Sequence, residues 1–489
     1  MVRDKMRCRF GLCISLVAGA SFVGLSAENV PLGPLFQHFA LTLASGERSE
    51  IMGPLFYSER KDSVHLWALP PLLSYTLDPE TDFAEFDFVY PLLTYDRFGS
   101  EYRFQIGQVF NFAGGRTQSE TNVQRFTLFP IYFQQRSATP EDNYTALLPV
   151  YGHLKNRLFR DEVKFVLMPV YVQSRKRDVV TDNYLYPVFH LRHGDGLKGW
   201  QVWPLIGHEE KEVTATTNNW GETQTIGGHN KFFALWPIFF NQITGIGTEN
   251  LEKQQAMLPL YSRMRSPQRD SLTVPWPLGV THTVDRTKKF SEWAAPWPLI
   301  VFVRGEGKTT RRVWPLFSQA HNGTLQSDWY LWPIYKYNRL RTESLDRERT
   351  RIMFFLYSDI TEKNTETGEA LHRIDFWPFF TSRRDLDGNQ RWQILSILEP
   401  LLPNNKSIER NYSTLWSLWR SEKNRGTGST SQSLLWNLYR HESATGSKKY
   451  SLLFGAFQYQ SNAEGKRMKL FYVPMNHGKA NTAKTAGKG

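Results

Sequence analysis

The sequence predicts an all-β protein made from one repeating unit, and three observations carry that expectation. A short motif of the form apolar-Pro-apolar-aromatic recurs along the chain, turn-forming residues separate its copies, and no segment sustains a 3.6-residue hydrophobic period. The clearest copies are FPIYF at Pro130, LPVYG at Pro149, MPVYV at Pro169, YPVFH at Pro187, WPIFF at Pro237, WPLFS at Pro315, WPIYK at Pro333 and WPFFT at Pro378. Successive prolines are mostly 17–22 residues apart. Wider gaps hold degenerate copies, such as FQIGQVFNF between Pro91 and Pro130 and MFFLYSD at 353–359. Further weak copies follow as TLWSLWR at 414–420, LLWNLYR at 434–440, LLFGAFQ at 452–458 and LFYVPMN at 470–476, so that about 22 units are counted in all.

Among the twelve best copies, Pro130 to Pro378, the residue before proline is always apolar and is Trp in seven; two residues after proline, nine carry Tyr or Phe. Apolar runs of this length, rich in Val, Ile and aromatics and bounded by turn residues, read as strands. The motif is therefore expected at the centre of each strand. The connectors ATPEDN at 138–143, HGDGLKG at 193–199, AHNGTLQ at 320–326 and DLDGNQ at 385–390 contain Asp-Gly and Asn-Gly pairs, which supply the positive φ of tight antiparallel turns. The expectation is an antiparallel meander of about 20–22 strands of roughly 9–11 residues, with mobile polar loops at 211–230 and 421–433.

Composition sets the rest of the frame. The chain has 489 residues, 40% hydrophobic and 14% aromatic, which excludes a disordered polymer. Arg3, Lys5, Arg7 and Arg9 precede an apolar stretch from Gly11 to about Ala27, the pattern of a secretory signal over residues 1–27. Both cysteines, Cys8 and Cys13, fall inside it, so the mature chain is expected to have no disulfide and no thiolate metal site. The formal charge of +12 includes a net +3 from this segment (four basic, one acidic), leaving +9. Residues 28–477 are expected to form a single β-repeat domain, and 478–489 a disordered basic tail.

At this point the chain resembles the bacterial outer-membrane β-barrel class, on its export signal, its units of about 20 residues and its abundant aromatics. The resemblance implies a closed barrel in the outer membrane, contact with its lipids, and a structural or transport role. Two features favour an alternative, a soluble periplasmic or secreted β-repeat of propeller-like or stacked-sheet architecture that binds glycan or protein partners through its loops. Proline cannot donate to a strand ladder, and the apolar centre of each unit occupies both faces of its strand. No nucleic acid partner is expected.

Candidate sites are few. His190 and His193 beside Asp195 have the composition of a metal site but read as hydrated turn histidines. Asp385, Asp387 and Asn389 have the spacing that opens a calcium loop, yet Gly388 and Ser396 are misplaced for one, and a hairpin turn explains the same residues. The Trp-Pro pairs read as core or lipid-facing rather than as a sugar platform. Basic runs at Ser174-Arg175-Lys176-Arg177, Arg339-Leu340-Arg341 and Arg347-Glu348-Arg349 could meet anionic headgroups or acidic polysaccharide. No nucleophile elbow, zinc-protease or phosphate-loop motif occurs. No enzyme is expected, and no catalytic, cofactor or metal residue is assigned.

Overall fold

A computed structural model describes residues 35–116, 122–217, 223–463 and 465–475. The signal, both cysteines and the basic tail lie outside these residues. The described chain is almost entirely β: 43 strands form one continuous sheet, and a separate two-stranded hairpin, Thr214–Thr217 with Thr223–Ile226, occupies part of the loop expected at 211–230. Each strand of the large sheet pairs antiparallel with its sequence neighbours. The 421–433 segment is not a long loop either, since Trp419–Lys423 and Thr430–Leu434 are paired strands joined by a six-residue turn, 424–429.

The expected strand count, strand length and motif position all require correction, for one reason. The proline motif lies at hairpin turns and not at strand centres. At Pro149, strand Tyr144–Leu147 ends two residues before the proline and strand Tyr151–Arg157 begins two after it, with Thr145↔His153 and Leu147↔Tyr151 as partners. Pro333 sits likewise between Leu325–Tyr330 and Tyr335–Arg341. Sixteen X-Pro bonds, including those of all twelve best copies, are cis. A residue without an N–H costs nothing at a turn and a ladder bond inside a strand. Each unit of about 20 residues is thus a pair of strands, mostly five to eight residues long, which doubles the strand number.

The meander consequently has two unlike edges. One carries the apolar proline turns; the other carries polar turns such as Asp195-Gly196, Gly323-Thr324 and Asp385–Asn389, where the connectors read as expected. The two faces differ as well. On one face, the residue nearest the proline edge is apolar strand after strand, in the register Leu73, Phe88, Leu93, Ile106, Phe110, Leu128, Tyr132 and Leu147. We call this the open face. The opposite face is largely polar, so the two-sided apolar strand anticipated from the sequence is not what forms.

Apolar packing on the polar face is local. One cluster gathers Tyr144, Ala146, Leu154, Val163 and Phe165, and another Phe290, Ala294, Val301 and Val303. Gly152 belongs to the first: a Cβ there would come within 2.3 Å of the Phe165 ring and 2.5 Å of the Ala146 methyl. Gly152→Val should therefore lower stability by about 1–3 kcal/mol through overpacking, read as an earlier denaturant midpoint; an unchanged midpoint would show that the cluster is loosely packed.

Candidate membrane interface and the buried seam

Two features stand apart from the regular meander: the apolar rim of proline turns, and a polar seam where the two ends of the sheet meet.

The rim is built against turn propensity. Two residues before proline, the backbone is left-handed at Val89 (φ 42°), Leu167 (45°), Leu185 (50°), Leu235 (49°) and Leu331 (46°). Such positions favour Gly or Asn, and a branched side chain there costs about 1–2 kcal/mol. The four leucines gain little burial in return, since Leu167 is 59% exposed, Leu185 60%, Leu235 56% and Leu331 56%, while Val89 is half-buried. The proline-free copies turn differently but also put apolar residues in left-handed positions, two in succession, at Met353-Phe354, Leu435-Trp436 and Leu453-Phe454. Beside them stand exposed Trp236, Trp276, Trp297, Trp314 and Trp332. Some of these rings touch one another along the rim, as in Trp203 with Trp236 (centroids 6.0 Å apart) and Trp314 with Trp332 (6.4 Å).

The seam joins residues more than 300 positions apart. Between strands Gln390–Ile394 and Trp419–Lys423, residues 395–418 leave the sheet and include a short helical stretch over 406–416. From it, Arg410 reaches into the polar face of the N-terminal strands. Its guanidinium donates to Glu85, to Asp87 (3.1 Å) and to the Thr76 hydroxyl (2.8 Å). The Tyr57 hydroxyl donates to the Arg410 carbonyl at 3.0 Å. Asn411, fully buried, donates to Asp87 at 3.0 Å. Further along, Gln37 donates to the Asn437 carbonyl (3.1 Å), Asn437 donates to Glu50, and Thr42 donates to Ser431 (2.7 Å). Arg440 stacks on Phe39 with its guanidinium carbon 3.5 Å from the ring centre.

By strand register, all of these N-terminal residues except Thr42, which lies in the turn after Ala40, share the polar face, as do Ser431 and Arg440 from the C-terminal strands. As the partners on one side advance from Gln37 to Asp87, those on the other retreat from Asn437 to Arg410. The two ends therefore meet polar face to polar face. Among the described residues, no backbone ladder joins the first strand to the last.

A cavity of about 770 Å³ lies at the seam, lined by both signs of charge. In it Arg391 and Arg420 share Glu422, at 3.3 and 2.5 Å. Burial pushes the Glu422 carboxyl up, but the two guanidinium groups outweigh it and hold the group down at about 2. For Glu85 too, burial raises and Arg410 more than reverses the effect, leaving it below its ordinary value. Arg391 is pushed below its own ordinary value, first by Arg420 and then by burial. Burial pushes the Tyr57 hydroxyl up to about 12.

The residues singled out in the sequence are scattered. His190 and His193 sit three apart on strand Phe189–Gly194 and so point to opposite faces; His190 contacts Gln201, and His193 lies 3.8 Å from Asp182. They cannot converge on one ion. Asp385 accepts from the Asn389 backbone N–H (2.8 Å) and side-chain amide (3.3 Å), a closed turn. Arg339 pairs with Asp346 at 2.7 Å and Glu348 at 3.2 Å on the open face, whereas Arg347 and Arg349 lie on the polar face. Sequence reasoning missed Arg410 and its partners; the polar stretch at 403–413, between two weak copies of the repeat, was the signal available. Among the described residues, no helix is long and apolar enough to cross a membrane, which says nothing of strands.

Two outcomes follow for the seam. Arg410→Met strands Glu85 and Asp87 without their cation and should cost about 3–5 kcal/mol, with scattering profiles showing the sheet ends separated. Acid should open it as well. Glu422 is depressed in the folded chain, so the unfolded chain binds its proton first as pH falls; stability on the order of 3 kcal/mol is present above pH 5 and is lost between about 5 and 2. Glu85 acts in the same sense, while Asp87, raised by burial, opposes it. A denaturation midpoint that stays flat over that range would contradict the assignment. No known protein family matches the chain, and no curated protein is recognisably similar to it.

Proposed function

We propose that the protein is an exported, cell-envelope structural protein that rests on a lipid membrane, its proline-edge rim embedded in one leaflet and its sheet drawn into a ring by the seam. The observation that carries this reading is the rim itself: bulky apolar side chains occupy left-handed turn positions, at conformational cost and with little burial. An apolar phase outside the protein supplies the missing return. The export signal expected over residues 1–27 favours an envelope location, with the outer membrane as the first candidate.

Dimensions favour one leaflet over a crossing. Strands of five to eight residues span roughly 17–27 Å, whereas a tilted membrane-crossing strand takes about 9–11 residues. The apolar zone is shorter than the strands: it ends at the first open-face row in some of them and takes in a second, aromatic row, Tyr75, Phe86, Tyr95, Phe104, Phe112 and Phe126, in others. Along strand Tyr132–Ser137 the open face changes from Tyr132 to Gln134 and Arg136, and along Tyr151–Arg157 from Tyr151 to His153 and Lys155. That gives a depth of about 10 Å at these two strands and about 17 Å where the second row is aromatic, close to the ~15 Å of one hydrocarbon leaflet and well short of a full crossing. Trp and Tyr at this level suit the interface.

Strand Leu325–Tyr330 allows a direct test, because it runs from the polar turn at Thr324 to the rim at Leu331. With the mature chain expected to lack cysteine, Leu331→Cys and Thr324→Cys can each carry a polarity-sensitive fluorophore. On adding vesicles, the label at 331 should shift to the blue and that at 324 should not. No shift at either position would favour the rival soluble β-repeat, and shifts at both would mean that the strands cross. Replacing Leu185, Leu235 and Leu331 together by Asp should lower vesicle partitioning at least ~100-fold, since each Leu withdrawn from lipid forfeits about 1.5–3 kcal/mol.

A further inference from the structure

The polar face carries a row of cations that the sheet itself does not neutralise. Lys336 and Arg351 stand directly opposite each other on neighbouring strands, and Arg349 follows on the same face of Leu345–Ile352. Two strands on, Arg373 faces Arg383, which in turn faces Arg391. Like charges placed opposite each other are destabilising in a sheet. Arg373 is answered by Asp375 at 2.9 Å, and Arg391 by Glu422. Lys336, Arg349, Arg351 and Arg383 have no ion pair among the described residues, and the buried Nε atoms of Arg349 and Arg351 have no hydrogen-bond partner. One aromatic residue adjoins this row: Trp329 is the direct cross-strand partner of Lys336.

We infer that this row, from Trp329 and Lys336 through Arg349 and Arg351 to Arg383, binds an anionic glycan, its carboxylate or phosphate groups meeting the unpaired cations and one sugar ring stacking on Trp329. Fixed arginine forks suit such anions. A glycan fits better than a nucleic acid, because single strands are held by successive aromatic platforms and this stretch of the face offers only one. Neighbouring cations also depress Lys336 and Arg349 beyond the effect of burial, the state a bound anion relieves. The inference does not depend on membrane insertion, since the row lies on the face opposite the apolar belt.

Calorimetric titration of the detergent-solubilised mature protein with oligogalacturonate tests it, with neutral dextran and single-stranded DNA as comparators. Binding should be salt-dependent and absent for dextran. Arg349→Gln combined with Arg351→Gln should weaken it at least ~10-fold and lower the log–log salt slope by up to about 1.4. The variant removes opposed like charges, so its unfolding midpoint should hold or rise. Trp329→Ala should weaken oligogalacturonate but leave the salt slope unchanged. Absence of binding, equal binding by dextran, DNA bound as tightly, or indifference to the double variant would each overturn the proposal.

Discussion

The missing backbone N–H of proline is the constraint on which this architecture depends. Because a ladder cannot run through proline, each proline-bearing repeat turns there, the few proline-free copies turn in step with them, and the turn fixes how long a strand can be. With one proline turn and one polar turn per unit of about 20 residues, strands close to six residues follow by arithmetic. From that length come the narrow sheet, the separation of its edges, and a rim assembled from every unit at once. A glycine-based turn would have served the backbone equally well at lower conformational cost. Bulky apolar residues in its place indicate that the turns answer to something besides folding.

A narrow sheet of 43 strands poses a second problem, the fate of its ends. Unpaired end strands are sites of runaway association. Here the ends are engaged through their faces, by charged and amide side chains instead of a ladder. Buried ion pairs contribute little net stability relative to apolar packing, but breaking one is costly. That asymmetry suits a junction whose main requirement is specificity: Arg410 has four acceptors on the other end of the sheet or beside it, and a displaced register would leave its charge unanswered. Tyr57, Asn411 and Asp87, nearly inaccessible, hold the same contact from both sides.

Much of this was legible in the residues, and what was not had physical causes. The repeat, its period and its polar connectors could be read because duplication writes them at fixed spacing. The motif's position was misread because Tyr144 to His153 scans equally well as one ten-residue strand or as two short ones around a turn, and apolar content outweighed the absent donor at Pro149. Alternation on either side of the proline was the better guide: Thr145 and Leu147 on one flank, Tyr151 and His153 on the other, pair across the turn. The seam was beyond reach, because Arg410 meets Glu85 only through the course of the whole sheet. The cation row was visible as composition, in Arg347-Glu348-Arg349, but only strand alternation sends Arg349 and Arg351 to one face and Glu348 to the other.

The uniformity of the rim bears on what it meets. A protein partner contacts a bounded patch, usually about 800 Å² a side, and its hot spots fall on a few residues. Nothing in such an interface asks nearly every turn along a sheet some 200 Å long, Gly107-Gln108 being an exception, to present the same apolar character. A lipid leaflet does ask this, because it is the same at every point of its plane and penalises any polar group carried below the headgroups. In the proposed placement the change from Tyr132 to Gln134 and from Tyr151 to His153 would mark the waterline, which would lie one row higher over the strands that carry Tyr75, Phe86, Tyr95, Phe104, Phe112 and Phe126. Exposed apolar residues at the far edge, Phe159 above all, lie outside that belt and have no account in these terms. In the proposed placement the polar face, carrying its unpaired cations, would stay on the aqueous side of the same line, where an anionic chain could reach it without crossing lipid.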